Sequence, residues 1–528
     1  MPRRLHLEVE LPDEVLTHVR DEEIASKAKE ALVMELLREH HISQGKAAEI
    51  LGMHRHDLFN LMGKYKVPAI DMTEEELREE LHKPFPHSND AVPCVPCRDG
   101  RRVAKCNARS TVNRPTYRFS SPLCEVYMRV VLTNAHVIDC VQPRPLVGAS
   151  VTVEHGRIVE VLDGHRAPET REAQVIDLQG AYLLPGLWDV HIHPDYFSPA
   201  DTSAVEQTVQ FGHRLMEALT ESGVIGVRCA GSAYFMDVAW KHAFDTWQYV
   251  GPRVFACGYF LTTTGGHFLT SGHARECDGP YGFVQAIREQ IKHGVDHIKL
   301  NLTGGIMGPF WDRHWHSFCL DEELQAAFAI CRQRGYKVMA HAANPEAVKA
   351  AIRLGAHSVE HGYIMDEECI QLFLQHHVWY VPTLAISHLT PEQASNVWEQ
   401  RWVAQRPLSA DLCQRADMAA DEHRVWFQRA LAAGVPMALG SDIRPLKEAA
   451  RLEMGLWVKD GATPWQTLLA ATRHAAALCG VGADLGTVEV GKLADLIVVQ
   501  DNPLEDIHNL RQLLLVLKEG WIVSDKRG

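Results

Sequence analysis

The sequence predicts an α/β protein whose largest part is a parallel (β/α)8 barrel, the TIM-barrel arrangement. Eight strand-like segments alternate with helical patterns in the middle of the chain, and eight such units in succession are typical of a barrel. Shorter alternating strands flank this region on both sides, and we expect these two β-rich ends to pair as a small β-sandwich. A separate helical segment precedes all of them, which predicts an additional N-terminal helix-turn-helix-like (HTH-like) module.

Each predicted element follows from the spacing of its apolar residues. The barrel strands are predicted at 184–193, 224–230, 254–261, 297–302, 337–342, 358–363, 379–384 and 436–441. Helical patterns between them are clearest at 321–334, 345–353 and 421–433. The flanking strands are predicted at 130–133, 150–154, 158–162, 174–177, 487–490, 496–500 and 515–523.

These elements divide the chain into four predicted regions. They are a helical HTH-like module (1–83), a linker (84–127), a β-sandwich (128–183 with 480–528) and the barrel (184–479). The linker is rich in proline and basic residues and lacks periodicity, so we expect it to be disordered. Its Cys94 and Cys97 form a CxxC pair without the second paired knuckle that a zinc ribbon needs. Because Met128 begins like the start of an enzyme, residues 1–127 are interpreted as a fusion or read-through extension.

The N-terminal module has helical periodicity at 21–40 and a helix-turn-helix pattern at 43–62, where Ser43 can cap the first helix and Gly52 can form the turn. This segment resembles a small family of uncharacterised proteins related to antitoxins of toxin–antitoxin systems. The resemblance implies DNA binding by residues 1–83, while a helical packing or dimerisation module remains equally open. Acidic residues outnumber basic ones here, which does not favour DNA.

Composition limits the functional classes. The 528 residues are 46% hydrophobic and 23% charged, with a net charge of −14, which is typical of a soluble protein and argues against a general nucleic-acid binder. No apolar run approaches the roughly 20 residues of a membrane helix. The 13 cysteines are scattered and follow no secretory signal, so we expect reduced thiols and a cytoplasmic location.

Residues that can bind a metal lie at the predicted strand ends. His191 and His193 are two residues apart, so both side chains lie on the same side of a strand and can reach one ion. Catalytic residues of a barrel lie at the carboxyl ends of its strands. Candidates in such positions on four further strands are Lys299, His341, His361 and Asp442.

Beyond these residues, the region from Met128 to the C-terminus resembles the metal-dependent amidohydrolase superfamily. It is most similar to the branch of imidazolonepropionase-like enzymes and Xaa-Pro (prolidase-like) dipeptidases. The segments that carry the resemblance are Leu184–His193, Gly251–Val254, Thr264–His267, His297–Leu300, His361–Gly362, Leu439–Asp442 and Gly491–Val499.

The resemblance implies a binuclear metal centre. His191 and His193 would bind the more buried ion, and His341 and His361 the second. Lys299, carboxylated by CO2, would bridge the two ions. Asp442 would bind the first ion, hold the attacking water and pass its proton to the leaving amine. Nitrogen and oxygen ligands suit Zn2+, although manganese or cobalt could serve. Asp195 and Glu360 are candidate partners of the ligands.

The predicted activity is hydrolysis of an amide C–N bond by a metal-bridged hydroxide. The substrate is expected to be a small molecule such as a dipeptide or an N-acyl amino acid. His267 and Tyr363 are candidates to polarise its carbonyl, and the predicted substrate contacts are Arg228, His267, Arg313, Tyr363 and Arg444. The aromatic-rich loop 304–316 could cover the site.

Two alternatives stay open at this point. The first is hydrolysis of a cyclic amide, as in imidazolone or hydantoin chemistry. The second is a DNA-linked regulator whose barrel senses a metabolite, although the intact ligand set argues against an inactive sensor. No membrane partner is expected, nucleic acid is not expected for the barrel, and homo-oligomerisation is left open.

Overall fold

Two compact units make up the chain, Met1–Pro115 and Thr116–Gly528. The structure is a computed structural model that describes residues 21–38, 42, 44–51, 61, 129–194, 202–269 and 272–527. Within these ranges, no helix has both the length and the apolar character needed to cross a bilayer. The nine cysteines of the same ranges are all free thiols.

In the first unit, two helices form where the 3.6-residue periodicity predicts them, α1 (Asp21–Arg38) and α2 (Gln44–Leu51). They share a small apolar cluster made of Val33, Met34, Leu37 and Ala47, surrounded by Ile42, Ile50, Leu51 and Leu61. The predicted cap Ser43, the turn at Gly52, the linker 84–127 and Met128 lie outside the described residues. DNA binding by this unit therefore remains a prediction.

The second unit alternates strands and helices along most of its length. Its strands are β1 (Arg129–Val137), β2 (Leu146–Glu154), β3 (Arg157–Leu162), β4 (Gln174–Asp177), β5 (Tyr182–Pro185), β6 (Leu187–Ile192), β7 (Val224–Cys229), β8 (Arg253–Phe255), β9 (Phe260–Thr262), β10 (Ala274–Glu276), β11 (His297–Asn301), β12 (Lys337–Ala342), β13 (Ser358–His361), β14 (Trp379–Val381), β15 (Leu496–Val499), β16 (Leu513–Lys518) and β17 (Trp521–Asp525).

The helices lie mostly between the parallel strands. They are α3 (Ala204–Ser222), α4 (Met236–Asp245), α5 (Gly279–Lys292), α6 (Asp321–Arg334), α7 (Pro345–Leu354), α8 (Glu367–His376), α9 (Leu384–His388), α10 (Val397–Gln405), α11 (Ala410–Ala433), α12 (Leu446–Lys459), α13 (Pro464–Leu469) and α14 (Ala475–Leu478). A single π-helical turn, Ala470–His474, joins the last two. The predicted helix 421–433 is the second half of α11.

The two β-rich ends meet in one eight-stranded sheet with the order β17-β16-β15-β5-β1-β2-β3, and β4 pairs with β1. The expected pairing of the ends occurs where β15 runs antiparallel to β5, but within one continuous sheet rather than two separate ones. The predicted strand at 487–490 does not form. Gly486 and Gly491 flank it with φ of 89° and 95°, which turns the chain on both sides of the segment.

The parallel strands form two hydrogen-bonded sheets, β6-β7-β8 and β10-β9-β11-β12-β13-β14. All their pairs are parallel, and every residue of β6, β7, β11 and β13 is buried, as expected when helices cover both faces. The strand predicted at 254–261 is split into β8 and β9. The hydrogen-bonded ladders of the described residues thus form a three-stranded and a six-stranded sheet, whereas one closed barrel was predicted.

The segment 436–442 connects the two sheets although it makes only one ladder bridge, between Met437 and Tyr380. The Val190 amide donates to the Leu439 carbonyl at 2.9 Å, while the Leu439 amide turns to the Ala470 carbonyl at 3.1 Å. The second bond removes a donor from the ladder, so the predicted strand 436–441 is not a regular one. A Cβ on Gly440 would lie 2.6 Å from that of His191, so glycine is what permits this approach.

We predict that Asp495→Asn lowers the free energy of unfolding by about 3 kcal/mol, because a buried ion pair that holds the large sheet to β8 loses one charge. The fully buried Asp495 carboxylate accepts from Arg253 Nε at 2.7 Å, and Arg253 also bonds Glu519. Urea unfolding measures the change. The control Asp484→Asn, at a half-exposed pair with Arg157, should cost less than about 1 kcal/mol. Equal losses in the two variants would contradict the prediction.

Candidate active site

His191, His193 and Asp442 lie together at the end of β6 and of the segment 436–442. One ligand atom of each lies within 4.8 Å of the others, and these three form the one such group found among the described residues. His193 Nε2 is 3.4 Å and His191 Nε2 is 3.8 Å from Asp442 Oδ1. Asp442 has a left-handed φ of 54°, and its amide bonds the His191 carbonyl at 2.9 Å, which fixes the carboxylate above both rings.

In three histidines of the site, Nδ1 is the ring nitrogen that bonds a neighbouring protein group. His191 Nδ1 bonds Glu360 Oε2 at 2.8 Å and His193 Nδ1 bonds the Gly231 carbonyl at 3.3 Å. His361 Nδ1 lies 2.7 Å from Thr383 Oγ1. That hydroxyl donates to a backbone carbonyl and so accepts from the ring. Each Nδ1 therefore carries the proton, which leaves the lone pair on Nε2 as the atom that could bind a metal.

His341 has the opposite orientation. Its Nε2 lies 2.9 Å from the Gly304 carbonyl, which only accepts, so Nδ1 is left with the free lone pair. The ring is 4.4 Å from the His361 ring and stacks on the His267 ring at 4.3 Å, between centroids. His361 in turn lies 5.0 Å from His191. The four predicted histidine ligands thus form one contiguous group.

Burial shifts every ionisable group of this cluster toward its neutral form. Desolvation lowers the pKa of the four histidines well below the ordinary value. It lowers the pKa of Lys299, the third residue of β11, to about 8, against the raising effect of Glu360 and Asp442. It raises the pKa of Asp442 to about 7, against the lowering effect of Lys299 and Arg406. Neutral imidazole is the form that binds metals, so the donor set fits divalent cations.

A buried network below the histidines includes Arg228, which was predicted to contact substrate. Its guanidinium bonds Glu360 Oε1 at 2.9 Å, Ser358 Oγ at 2.9 Å and the Val190 carbonyl at 2.7 Å, and its side chain is only 4% exposed. Arg228 does not line the active-site cleft as a substrate contact would, because its side chain points inward and compensates the carboxylate that orients His191. The buried Asp189 carboxylate accepts hydrogen bonds from the amide and hydroxyl of Ser441 and from the His191 amide, which ties β6 to the segment 436–442.

A cleft opens above the cluster. Its walls are His193, His267, Phe268, Ile306, Met307, His341, His361, Tyr363, Ile386, Arg406, Asp442, Ile443 and Arg444. The predicted contacts His267, Tyr363 and Arg444 therefore face the cleft, and the Tyr363 ring stacks on His361 at 5.3 Å. Arg313 is half-buried and is not among the lining residues, because the loop 304–316 directs Asp312 inward instead.

Asp312 was not identified from the sequence. Its carboxylate accepts from His267 Nδ1 at 2.8 Å and from the amides of Phe268 and Gly305. Burial raises its pKa, but His267 and the hydrogen bonds outweigh burial and hold the pKa below the ordinary value. Asp312 therefore fixes His267 with Nε2 toward the cleft. Its position in an aromatic-rich loop, 45 residues from His267, gives no sequence signal. Arg406 and Thr383 were also missed, and Asp195 lies outside the described residues.

Comparison with known proteins identifies the family. Residues 182–523 match the model of the amidohydrolase family, which is more than half of the chain. The chain belongs to the amidohydrolase family. It is a hydrolase that acts on carbon–nitrogen bonds. Residues 4–83 match an uncharacterised protein family, UPF0175, in agreement with the predicted antitoxin-like segment.

Individual relatives support the same placement. The chain is 29% identical to ochratoxinase of Aspergillus niger over 358 residues, covering 62% of this chain and 71% of that protein. A 99-residue stretch is 35% identical to imidazolonepropionase of Thermoplasma volcanium, covering 18% of this chain and 24% of that protein. Among solved structures, a Xaa-Pro dipeptidase with bound methionine has a TM-score of 0.67 at 26% identity, over 75% of this chain and 99% of that one.

The position of Arg228 leads to a prediction. Arg228→Met should lower the free energy of unfolding by about 3 kcal/mol, because the buried Glu360 carboxylate loses its cationic partner. Arg313→Met, at the half-buried arginine outside the cleft, is the control and should change it by less than about 1 kcal/mol. Denaturant titration compares the two. A fully stable Arg228→Met enzyme with only a raised KM would restore the original interpretation of a substrate contact.

Proposed function

We propose that the chain hydrolyses the amide bond of a small substrate with a binuclear metal centre. The observation that carries the proposal is the meeting of His191, His193 and Asp442 at adjoining strand ends, with the rings of His341 and His361 beside them. As part of the same proposal, the two parallel sheets and the segment 436–442 are sectors of one eight-position TIM barrel. Hydrogen bonds across both gaps support this, from Val190 to Leu439 and from Asp296 to the Ala256 carbonyl at 2.8 Å.

In this proposal His191, His193 and Asp442 would hold one ion, and His341 and His361 would hold the other. The neutral amine of Lys299 would combine with CO2 and release a proton to solvent, and the resulting carbamate would supply anionic oxygen donors to the centre. The nitrogen and oxygen donors favour Zn2+. Two such ions would supply an activated water molecule and polarise the substrate carbonyl.

The protein's own side chains provide the remaining steps. Asp442 Oδ1 is placed to receive the proton of the attacking water and to deliver it to the leaving amine. Since Asp312 holds the ring proton of His267 on Nδ1, Nε2 presents a lone pair to the cleft, which Tyr363 also lines. Arg444 provides a cation for a substrate carboxylate.

The lining of the cleft supports a substrate class. Its wall combines the apolar residues Ile306, Met307 and Ile386 with ionic groups, which fits a small molecule that has both apolar and charged parts. We therefore propose a dipeptide or an N-acyl amino acid. Two solved relatives support this choice, the Xaa-Pro dipeptidase and a prolidase complexed with N-methylphosphonate-L-proline, which is 27% identical with a TM-score of 0.66.

Hydrolysis of a cyclic amide is the second candidate, and the similarity to imidazolonepropionase favours it. A panel of dipeptides, N-acyl amino acids and hydantoins would separate the two classes. A regulatory role rests on residues 4–83 alone, and salt-dependent binding of the full chain to DNA would test it. A cytoplasmic location is part of the proposal and fits the free thiols.

The metal-dependent mechanism predicts the effect of Asp442→Asn. This variant should lower kcat by about 1000-fold, since the amide cannot accept the proton of the attacking water. Metal analysis of the wild-type enzyme should find two equivalents of zinc. The control Asp296→Asn changes an acid that pairs with Lys241 outside the cleft, and it should keep its activity. Turnover at the wild-type rate in Asp442→Asn would refute the proposed role.

The His267–Asp312 pair predicts a further effect. Asp312→Asn should lower kcat/KM by about 100-fold, because an amide NH2 facing His267 Nδ1 would shift the ring proton to Nε2 and remove the lone pair that Nε2 presents to the cleft. Zinc content should stay at two equivalents. Nitrogen-15 NMR of labelled histidine reports the tautomer, and Asp417→Asn, outside the cleft, is the control. An unchanged His267 tautomer together with full activity would contradict this assignment.

A further inference from the structure

A buried glutamate of α12 lies behind the active-site cluster and takes no part in the proposed reaction. Glu453 is 0% exposed, and its carboxylate accepts from the Leu384 amide at 2.9 Å and from the Ala385 amide at 2.7 Å. The indole of Trp457, one turn further along α12, donates to Oε1 at 2.9 Å. Three N–H donors therefore orient the carboxylate, and the carboxylate in turn caps the start of α9.

Thr383 precedes α9 in an unusual conformation. Its φ of 51° and ψ of 53° are left-handed, which is unfavourable for a β-branched residue. A threonine in this position ordinarily has an extended backbone and caps the helix with its own hydroxyl. Here the hydroxyl makes no capping bond, donates to the Pro382 carbonyl at 2.7 Å and accepts from His361 Nδ1 at 2.7 Å. Because Glu453 caps α9 from another element, the Thr383 hydroxyl is available to His361.

Every link between Glu453 and the active-site cluster is buried. Glu453 and Thr383 are 0% exposed and His361 is 2% exposed, so water does not compete for their hydrogen bonds. The backbone of His361 is fixed separately, because the Tyr380 hydroxyl donates to its carbonyl at 2.9 Å. The Thr383 hydroxyl therefore determines the tautomer and ring orientation of His361 rather than the path of its backbone.

We propose that Glu453 is a positioning residue for His361. By capping α9 in place of Thr383, it holds Thr383 in the conformation whose hydroxyl accepts from His361 Nδ1. Nε2 of His361 is thereby left with the lone pair that a metal could use. The inference deepens the proposed function and rests on it only in treating His361 as a metal ligand.

Two substitutions of Glu453 weaken the cap. In Glu453→Gln one N–H donor would face the amide NH2 and lose its acceptor. Glu453→Asp keeps the charge but is one methylene shorter, so it cannot reach both amides of α9. In either variant we expect Thr383 to adopt the extended backbone and to cap α9 with its own hydroxyl, which removes the acceptor from His361 Nδ1.

The tautomer of His361 tests the inference without metal or substrate. Nitrogen-15 NMR of the histidine-labelled, metal-free full chain reports it, and the His361 signals are those lost in His361→Gln. Burial raises the pKa of Glu453 to about 8, against the effect of its hydrogen bonds, so a measurement at pH 9 keeps the carboxylate ionised. We expect the ratio of Nδ1-protonated to Nε2-protonated His361 to fall about 10-fold in each Glu453 variant, and either variant alone suffices for the comparison.

Variants of Thr383 test the next link. Thr383→Val keeps the shape of the side chain without its hydroxyl and should shift the tautomer as the Glu453 variants do. Thr383→Ser keeps the hydroxyl and should retain the wild-type ratio. A wild-type ratio in Thr383→Val would overturn the inference, since the hydroxyl would then not select the tautomer.

Glu399→Gln is the matched control. Glu399 is another buried carboxylate near a helix start, that of α10, where it accepts from the Ser395 amide and the Asn396 side-chain amide, each at 2.7 Å, and pairs with Lys459. Urea unfolding should show a lowered midpoint in this variant, while the His361 ratio stays at its wild-type value. An equal shift of the ratio in Glu399→Gln and Glu453→Gln, or no shift in either Glu453 variant, would overturn the inference.

Zinc binding links the tautomer to the proposed centre. Competition with a chromophoric chelator should show that one of two zinc equivalents binds about 10- to 100-fold more weakly in Glu453→Gln, with no change in Glu399→Gln. A shifted tautomer in a protein that takes up no zinc would count against the proposed metal centre and leave the role of Glu453 supported. A shifted tautomer with both zinc affinities unchanged would overturn the assignment of His361 as a ligand.

Discussion

The carboxylate of Glu360 is the group on which the rest of the site depends. One oxygen accepts from His191 of β6 and the other from Arg228 of β7, while Glu360 itself belongs to β13. A buried anion is costly unless it is paired and hydrogen-bonded, and here the pairing joins strands from both parallel sheets. The same bonds set the tautomer of His191, so one group of contacts both stabilises this part of the fold and orients a candidate metal ligand.

Much of the site could be predicted because parallel strands carry functional residues at their carboxyl ends. The period of two on β6 placed His191 and His193 on one side, and buried runs located β11, β12 and β13. Contacts between distant segments could not be predicted in this way. Asp312 reaches His267 across a loop without periodicity, and Arg228 has a strand position that does not reveal whether its long side chain turns outward or inward. The irregular segment 436–442 depends on one amide, that of Leu439, bonding outside the sheet.

The active-site cluster favours neutral forms throughout. Four imidazoles, a lysine and an aspartate lie together where desolvation makes charge costly, and their donor atoms fit a divalent cation.

His341 bonds the protein through Nε2, whereas the other three histidines bond it through Nδ1, so different amino acids best replace them. An asparagine oxygen lies close to the position of Nδ1 and a glutamine oxygen close to that of Nε2, relative to the backbone. Asparagine is therefore the nearest neutral mimic at position 341, whereas glutamine is the nearest at 191, 193 and 361. The Gly304 carbonyl bonds His341 and the Thr383 hydroxyl bonds His361. These two partners therefore determine that different amino acids are the best replacements at positions 341 and 361, although both residues are histidines.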